Sequence, residues 1–590
     1  MRHEDVFPFE GARRHDVFFD VTPHPDMRAP AKWHGQGRWR IWGYLLPAIT
    51  LATVLLVPLL WTVVLSLREG GPANYLDVMT DQDGLEDLSV WPPLLHSAVW
   101  LLLALMVCAL GLGLAWLARD AGPRQRVLLL SVLALPTVTS PLTAGVAFRL
   151  IFDVSPRGTV NALLPAPVLF TGPGWIWLVL GSAFVWQWTG LAFLVFHVGL
   201  ANVPRDLLRV GRIFGAERIR LLRTVVAPAL FPTAALVTLV VLTAAVRVFD
   251  VILVGAPGAI QDEVDVVGLF WWRHQDELGR GRASALAVLL FAMAAAVALL
   301  IVWRLRRDWP ETGQRRQEYR APARRRPRWL LRGVFAAVTP VWLSPFVVLL
   351  LTSFRSPQGV ATSGWWTWQE YRLSGSYGDA FGDGSFSGAL WATAQRGLLA
   401  AVIVVLFAVP AAYALTHERL PLRARRIVTS VTVLLAVLPP QALGGPLGDM
   451  PDGLPGGVVT LSWIHAALAL PLGVLLLRNA FASVPRPVVL RPLAEGRSAI
   501  RRVTTESGPA VVTVAVLTFV LTWNDLVIGL MTNWSAANQA PLIMFQQSRF
   551  FTTSAGALAA QAVAVTAVPA LLLFATGRWL VRGLTQGVNR

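Results

Sequence analysis

The chain has 590 residues, of which 55% are apolar and only 14% charged, and it carries a formal net charge of +17. A water-soluble protein of this size would carry roughly a quarter charged residues, and the mean hydropathy of +0.56 lies on the same side. The composition excludes an ordinary soluble enzyme and defines a polytopic membrane protein. The lone cysteine, Cys108, lies in an apolar run, which excludes an internal disulfide and a cysteine-based metal cluster.

Residues 1–40 hold no apolar core followed by a cleavage site, so they read as a flexible cytoplasmic segment and not as a signal peptide. Apolar runs long enough to cross a bilayer as helix follow at 41–67, 94–118, 127–151, 174–200, 227–254 and 283–305. A second series falls at 329–353, 387–415, 427–447, 457–477, 510–531 and 555–581. The expected fold is all-α, with two tandem six-helix modules over 41–305 and 329–581. A basic linker at 306–328 joins them, and a short tail covers 582–590.

Charge sets the expected orientation. The stretch from Arg68 to Trp91 holds one arginine and six acids, whereas 201–226 holds six arginines and 304–332 holds eleven. Basic loops stay in the cytoplasm, which places both termini, the linker and the 201–226 loop inside a bacterial inner membrane. The arginines sit in alternate loops without interleaved aromatics, so the charge follows topology and gives no case for nucleic acid.

The two modules repeat. Pro204 precedes Gly215 by 11 residues and Gly215 precedes Pro228 by 13; Pro485, Gly496 and Pro509 show the same two spacings. In the first copy Val203, Leu207, Val210 and Phe214 fall on one helix face, with Arg205, Arg209 and Arg212 mostly off it. Such a helix can lie among lipid headgroups, or it can dock in the groove of a cytosolic partner. Two equivalent loops suit a partner with two equivalent clefts.

These loops, "VPRDLL…GA…VAPALFP" and "VPRPVV…EG…SGPAVVT", resemble the cytoplasmic signature loop of binding-protein-dependent ABC importer permeases. "RLIFDVSPRGTVNALL", "VWQWTGLAFLVFHVGLANVP" and "FDVILVGAPG" resemble the first permease subunit of maltose-type carbohydrate importers. "TSFRSP", "AYAL", "LPPQ", "TWNDL" and the tail "RGLTQGVNR" resemble the second. The resemblance covers most of residues 41–590 and describes both subunits fused in one chain. It implies the ABC type I importer permease fold and ATPase-coupling roles for Pro204, Leu207, Arg209, Val210, Phe214, Gly215, Ala216, Pro485, Glu495 and Gly496. Where the family carries Glu-Ala-Ala, this chain has Arg209-Val210-Gly211 and Leu490-Arg491-Pro492.

The sole lysine, Lys32, is in the N-terminal segment, and no phosphate-cradling loop is present. The chain is therefore expected to be a transport subunit without catalytic residues, metal or cofactor of its own. The resemblance implies two copies of a cytosolic ABC ATPase carrying ATP-Mg, and an extracellular solute-binding protein. Membrane lipid surrounds the chain.

A sugar path needs aromatic faces and polar groups together, which Trp186, Gln187 and Trp188 supply. Gly190, four residues on, is expected to leave space beside Trp186. Arg247 and Asp250 are three apart and can pair on one helix face beside Phe249, and Trp523, Asn524 and Asp525 occupy the matching place in the second module. Packing or interfacial roles remain open for the tryptophans, as does simple solvation for Asp250. Alternatives are a permease for iron, thiamine or an osmolyte, a twelve-helix secondary transporter, or a membrane enzyme.

Overall fold

A computed structural model describes residues 37–68, 70–80, 89–118, 122–153, 158–202, 226–307, 328–356, 359, 371, 375–418, 420–448, 457–485, 488–489, 492, 498–532 and 539–585. Among these it is all-helical, with one isolated bridge between Arg355 and Tyr371. The first half comprises α1 (Gly37–Arg68), α2 (Ala73–Thr80), α3 (Trp91–Ala118), α4 (Pro123–Ala134), α5 (Pro141–Ile151), α6 (Ile176–Asn202), α7 (Ala227–Val246), α8 (Asp250–Gly255) and α9 (Val267–Arg307). The second comprises α10 (Arg328–Thr352), α11 (Gly375–Phe381), α12 (Ser385–His417), α13 (Leu422–Ala436), α14 (Gly444–Gly448), α15 (Val458–Ala482), α16 (Ile500–Glu506), α17 (Gly508–Trp523), α18 (Val527–Met531), α19 (Ala540–Ser548) and α20 (Phe551–Thr585).

Eight of these helices are long and apolar enough to cross a membrane, and up to 11 spans result if each bent helix pair counts as one. A further short apolar helix runs from Thr233 to Val246. The protein is an integral membrane protein. We call the end bearing Asn202, Arg307 and Arg328 the linker end, and the other the far end.

Two spans of each half are broken, which hydropathy alone does not reveal. The third span of the first half bends by 103° between Leu128–Val138 and Pro141–Ile151, and its counterpart bends by 101° between Leu422–Ala436 and Pro440–Gly448. Both breaks end in an extended residue that precedes a proline, Ser140 before Pro141 and Pro439 before Pro440. Proline lacks the N–H that would continue the helix and pushes its predecessor toward extended backbone, so the chain restarts at Pro141 and at Pro440 in a new direction. The fifth spans break as well. Arg247–Phe249 separates α7 from α8, and Asn524–Leu526 separates α17 from α18. The continuous span expected at 510–531 is thus two helices, and Arg247 and Asp250 do not share one helix face.

The halves interlock. Leu45, Leu51, Leu55 and Leu59 of α1 belong to the same buried cluster as Ala400, Val404 and Ala408 of α12 and Leu470 and Val474 of α15. In return Phe335, Val348 and Leu349 of α10 join a cluster with Leu142 and Phe148 of α5 and Phe184 of α6. Alanines line the α12–α15 contact at Ala408, Ala411, Ala466 and Ala467, because helices in lipid gain from close backbone approach more than from side-chain hydrophobicity. At the far end α9 is kinked at Gly279, whose φ of 71° suits glycine.

Candidate functional site

Helix breaks at membrane depth expose backbone polar groups that lipid cannot satisfy, so they persist only where protein or a polar cavity meets them. In the first half side chains meet them. Gln187 Nε2 donates to Thr139 O at 2.9 Å, and Thr137 Oγ1 donates to Gln187 O at 3.2 Å. From the other half, Asn524 Nδ2 donates to Val138 O at 3.0 Å. The fifth-span break of one module is thereby fastened to the third-span break of the other.

Around this junction the sequence-predicted residues gather. Asp250, 8% exposed, begins α8, and its Oδ1 is buried without a hydrogen-bond partner; Asn524 Oδ1 is likewise unpartnered. Arg247 ends α7 and lies within coulombic reach of Asp525 and Asp250, yet among the described residues it forms no ion pair with Asp250 within 4.0 Å. Phe249 is buried edge-on to Trp272, with centroids 5.9 Å apart. Asp525 Oδ2 accepts from Ile528 N at 3.1 Å, which caps α18, and contacts His465 Nε2 at 3.2 Å.

His465 is the residue sequence reading passed over. It lies in α15 at 4% exposure, and its Nδ1 is 2.6 Å from Leu461 O. A carbonyl only accepts, so Nδ1 is the donor in that contact and Nε2 is the nitrogen turned to Asp525. The available signal was an ionisable side chain in the middle of an apolar span, which is costly unless it has a partner or a task.

The tryptophans are held by packing and hydrogen bonds. Trp186 Nε1 donates to Trp342 O at 2.8 Å, and its ring meets Phe346 at 5.0 Å, both on the interlocked α10. Trp188 packs on Phe184 at 6.3 Å, and Trp523 is 1% exposed with Nε1 donating to Val565 O at 3.0 Å. The space expected beside Gly190 is filled: a Cβ there would fall 1.6 Å from Leu133 O, so this glycine lets α6 press against the first-half break.

Pro204, Leu207, Arg209, Val210, Phe214, Gly215, Ala216, Glu495 and Gly496 lie outside the described residues. Pro485 is exposed at the linker end after α15. The chain returning from the second loop is held by Tyr413 Oη, which accepts from Ala499 N at 3.3 Å, and by a 3.0 Å contact between Tyr44 Oη and Ser498 Oγ.

At the far end Arg273 bridges Asp262 and Asp265, at 2.6 Å from Asp265 Oδ2. Burial lifts the Asp265 carboxyl to about 6, although Arg273 pulls it down. Ligand atoms of Asp262, Asp265 and His274 lie within 4.8 Å of one another, but the Arg273 guanidinium already stands between the two carboxylates.

A multi-span bundle whose broken helices meet at a polar junction is a membrane transport component. The profile described as binding-protein-dependent transport system inner membrane component matches residues 108–306. The trehalose transport system permease SugB of Mycobacterium tuberculosis is 30% identical, over 36% of this chain and 80% of its own length. A probable ABC transporter permease of Pyrococcus horikoshii is 28% identical, over 44% of this chain and 96% of its own length. The alpha-glucoside permease AglF of Rhizobium meliloti is 25% identical, over 46% and 84%. Among solved structures, a bacterial ABC transporter that imports alginate aligns with a TM-score of 0.40 and 17% identity, over 46% of this chain and 96% of the other.

The chain belongs to the family of inner-membrane permease components of binding-protein-dependent transport systems. Within it, this is a permease of about twice the usual length, since less than half of its residues cover nearly all of a relative.

Proposed function

We propose that this chain is the membrane-spanning permease of an ATP-driven carbohydrate importer, with both permease subunits in one polypeptide. The observation that carries the reading is the junction of the two halves, where Asn524 reaches across to Val138 O and leaves Asn524 Oδ1 and Asp250 Oδ1 buried and unanswered. Orphan oxygens at that depth are what passing hydroxyl groups can satisfy. Relatives named for trehalose, alpha-glucoside and arabinooligosaccharide transport support a sugar cargo.

On this reading the linker end faces the cytoplasm, as its arginines require. Two copies of an ABC ATPase hold ATP-Mg and dock at the 203–225 and 484–509 loops, and a solute-binding protein delivers sugar at the far end. ATP binding closes the ATPase pair, draws the loops together and opens the far end. The junction residues Gln187, Asp250 and Asn524 line the path; Arg247, Asp525 and His465 balance charge behind it.

The test is uptake of radiolabelled trehalose into proteoliposomes that hold the chain, its co-purified ATPase and the cognate binding protein. Uptake should need ATP on the ATPase side. Uptake driven by a proton gradient alone would replace this reading with a secondary transporter. Two relatives named for osmoprotective compounds support a second cargo class, and competition by glycine betaine separates it from sugar.

A further inference from the structure

The second-half break differs from the first in what it leaves open. Thr62 Oγ1 of α1 donates to Ala442 O at 2.8 Å and answers that carbonyl. Gln441, one residue earlier and 2% exposed, keeps its Oε1 buried without a hydrogen-bond partner. Gln441 lines a cavity of about 260 Å³ enclosed by α1, both arms of α9 around its kink, the Pro440–Leu443 turn, α14 and α18.

The lining has two characters. Thr62, Gln275, Ser284 and Gln441 supply neutral polar atoms, with Asp276 and Arg280 exposed on either side of the Gly279 kink. Trp271, Leu530 and Met531 supply apolar wall. The indole is fixed because Trp271 Nε1 donates to Ala283 O at 2.9 Å, and its six-membered ring lies on Gly444, where a Cβ would come within 2.2 Å. A flat apolar wall, a buried acceptor and a ring of neutral donors and acceptors suit a polyhydroxylated ring. The volume is below the about 300–1,000 Å³ of sites for larger ligands, so it takes one ring and not a chain.

We propose that this cavity is a second sugar subsite, built by both halves in the far part of the bundle and taking one neutral hexose ring, with Gln441 Oε1 accepting from a ring hydroxyl. It rests on the carbohydrate reading and adds a station separate from the Asp250–Asn524 junction. Sugar released by the binding protein pauses here before reaching the junction.

The experiment uses the full chain in lipid nanodiscs, without ATPase or binding protein, and saturation-transfer NMR with methyl α-D-glucoside and trehalose as probes. Gln441→Leu removes the acceptor. Gly445→Leu fills the cavity from a position where a Cβ meets nothing within 4 Å. Both variants should keep the wild-type melting temperature and weaken binding of either probe about tenfold. Wild-type affinity in both variants, or no transfer to either probe in the wild type, overturns the subsite. Trehalose uptake by the assembled transporter distinguishes this failure from failure of the carbohydrate reading. Uptake with an unchanged KM in Gln441→Leu removes the subsite and keeps the sugar cargo, whereas no uptake by the wild type removes the cargo.

Discussion

The two halves break their third spans at an extended residue before a proline and by nearly the same angle, yet they finish the break differently. In the first half Gln187 and Asn524 are spent on carbonyls of the break itself, and Gly190 lets α6 close the remaining gap. In the second half one hydroxyl answers the backbone and an amide is left facing a cavity. A duplicated module can therefore keep its geometry while its two copies satisfy the break differently, one with side chains drawn from both halves and the other with a single hydroxyl beside a cavity. The fifth spans differ too: α7 has 20 residues and α17 has 16, one helical turn fewer, so the polar breaks are not strict equivalents.

The largest expected asymmetry is at the loops. Gly215→Pro should abolish ATP-driven uptake while leaving membrane insertion intact. Gly496→Pro, in the loop where Leu490-Arg491-Pro492 replaces the family's Glu-Ala-Ala, should cost far less. Equal losses in a proteoliposome uptake assay would show that both loops carry force alike. Next comes the seal: Gly190→Ala puts a Cβ into Leu133 O and should lower stability by about 1–3 kcal/mol, whereas Gly445→Ala should leave the melting temperature unchanged.

Smaller effects sharpen the same contrast. Asn524→Leu leaves Val138 O unanswered and should cost about 1–3 kcal/mol. Gln441→Leu removes an oxygen that had no partner and should be close to neutral without sugar. Thermal unfolding of the two variants side by side decides this. Smallest is the far-end clasp. A carboxyl raised from 3.8 to about 6 in the folded state contributes stability that is full below 3.8 and lost as pH rises through about 6. The wild type should therefore lose more melting temperature than Asp265→Asn between pH 5 and 8; parallel curves would remove burial of this carboxyl as the cause.

Much of the architecture was legible. Apolar runs gave the spans, and the Pro–Gly–Pro spacing gave the duplication, because bilayer thickness and helix rise leave few alternatives. The breaks were not legible, since prolines also occur inside continuous helices here, at Pro471 and Pro569 for example. The site was partly legible. Asp250, Asn524 and Asp525 stood out as polar residues in apolar runs, and the structure brings them to one junction. Packing was an open reading for Trp186 and Trp523, but their partners Trp342 and Val565 lie far along the chain and were not legible. His465 and Gln441 needed the third dimension: nothing local says that one meets Asp525 or that the other borders open space.

The interlock of α1 with the second half bears on how the molecule is made. In the growing chain α1 comes well before its buried neighbours on α12 and α15, whose residues emerge several hundred positions later. It must wait in the bilayer, with lipid as a temporary companion, until those helices follow. Joining both halves in one polypeptide keeps that early helix close to the partner it will need, so assembly of the pair no longer depends on two separate products meeting in the membrane.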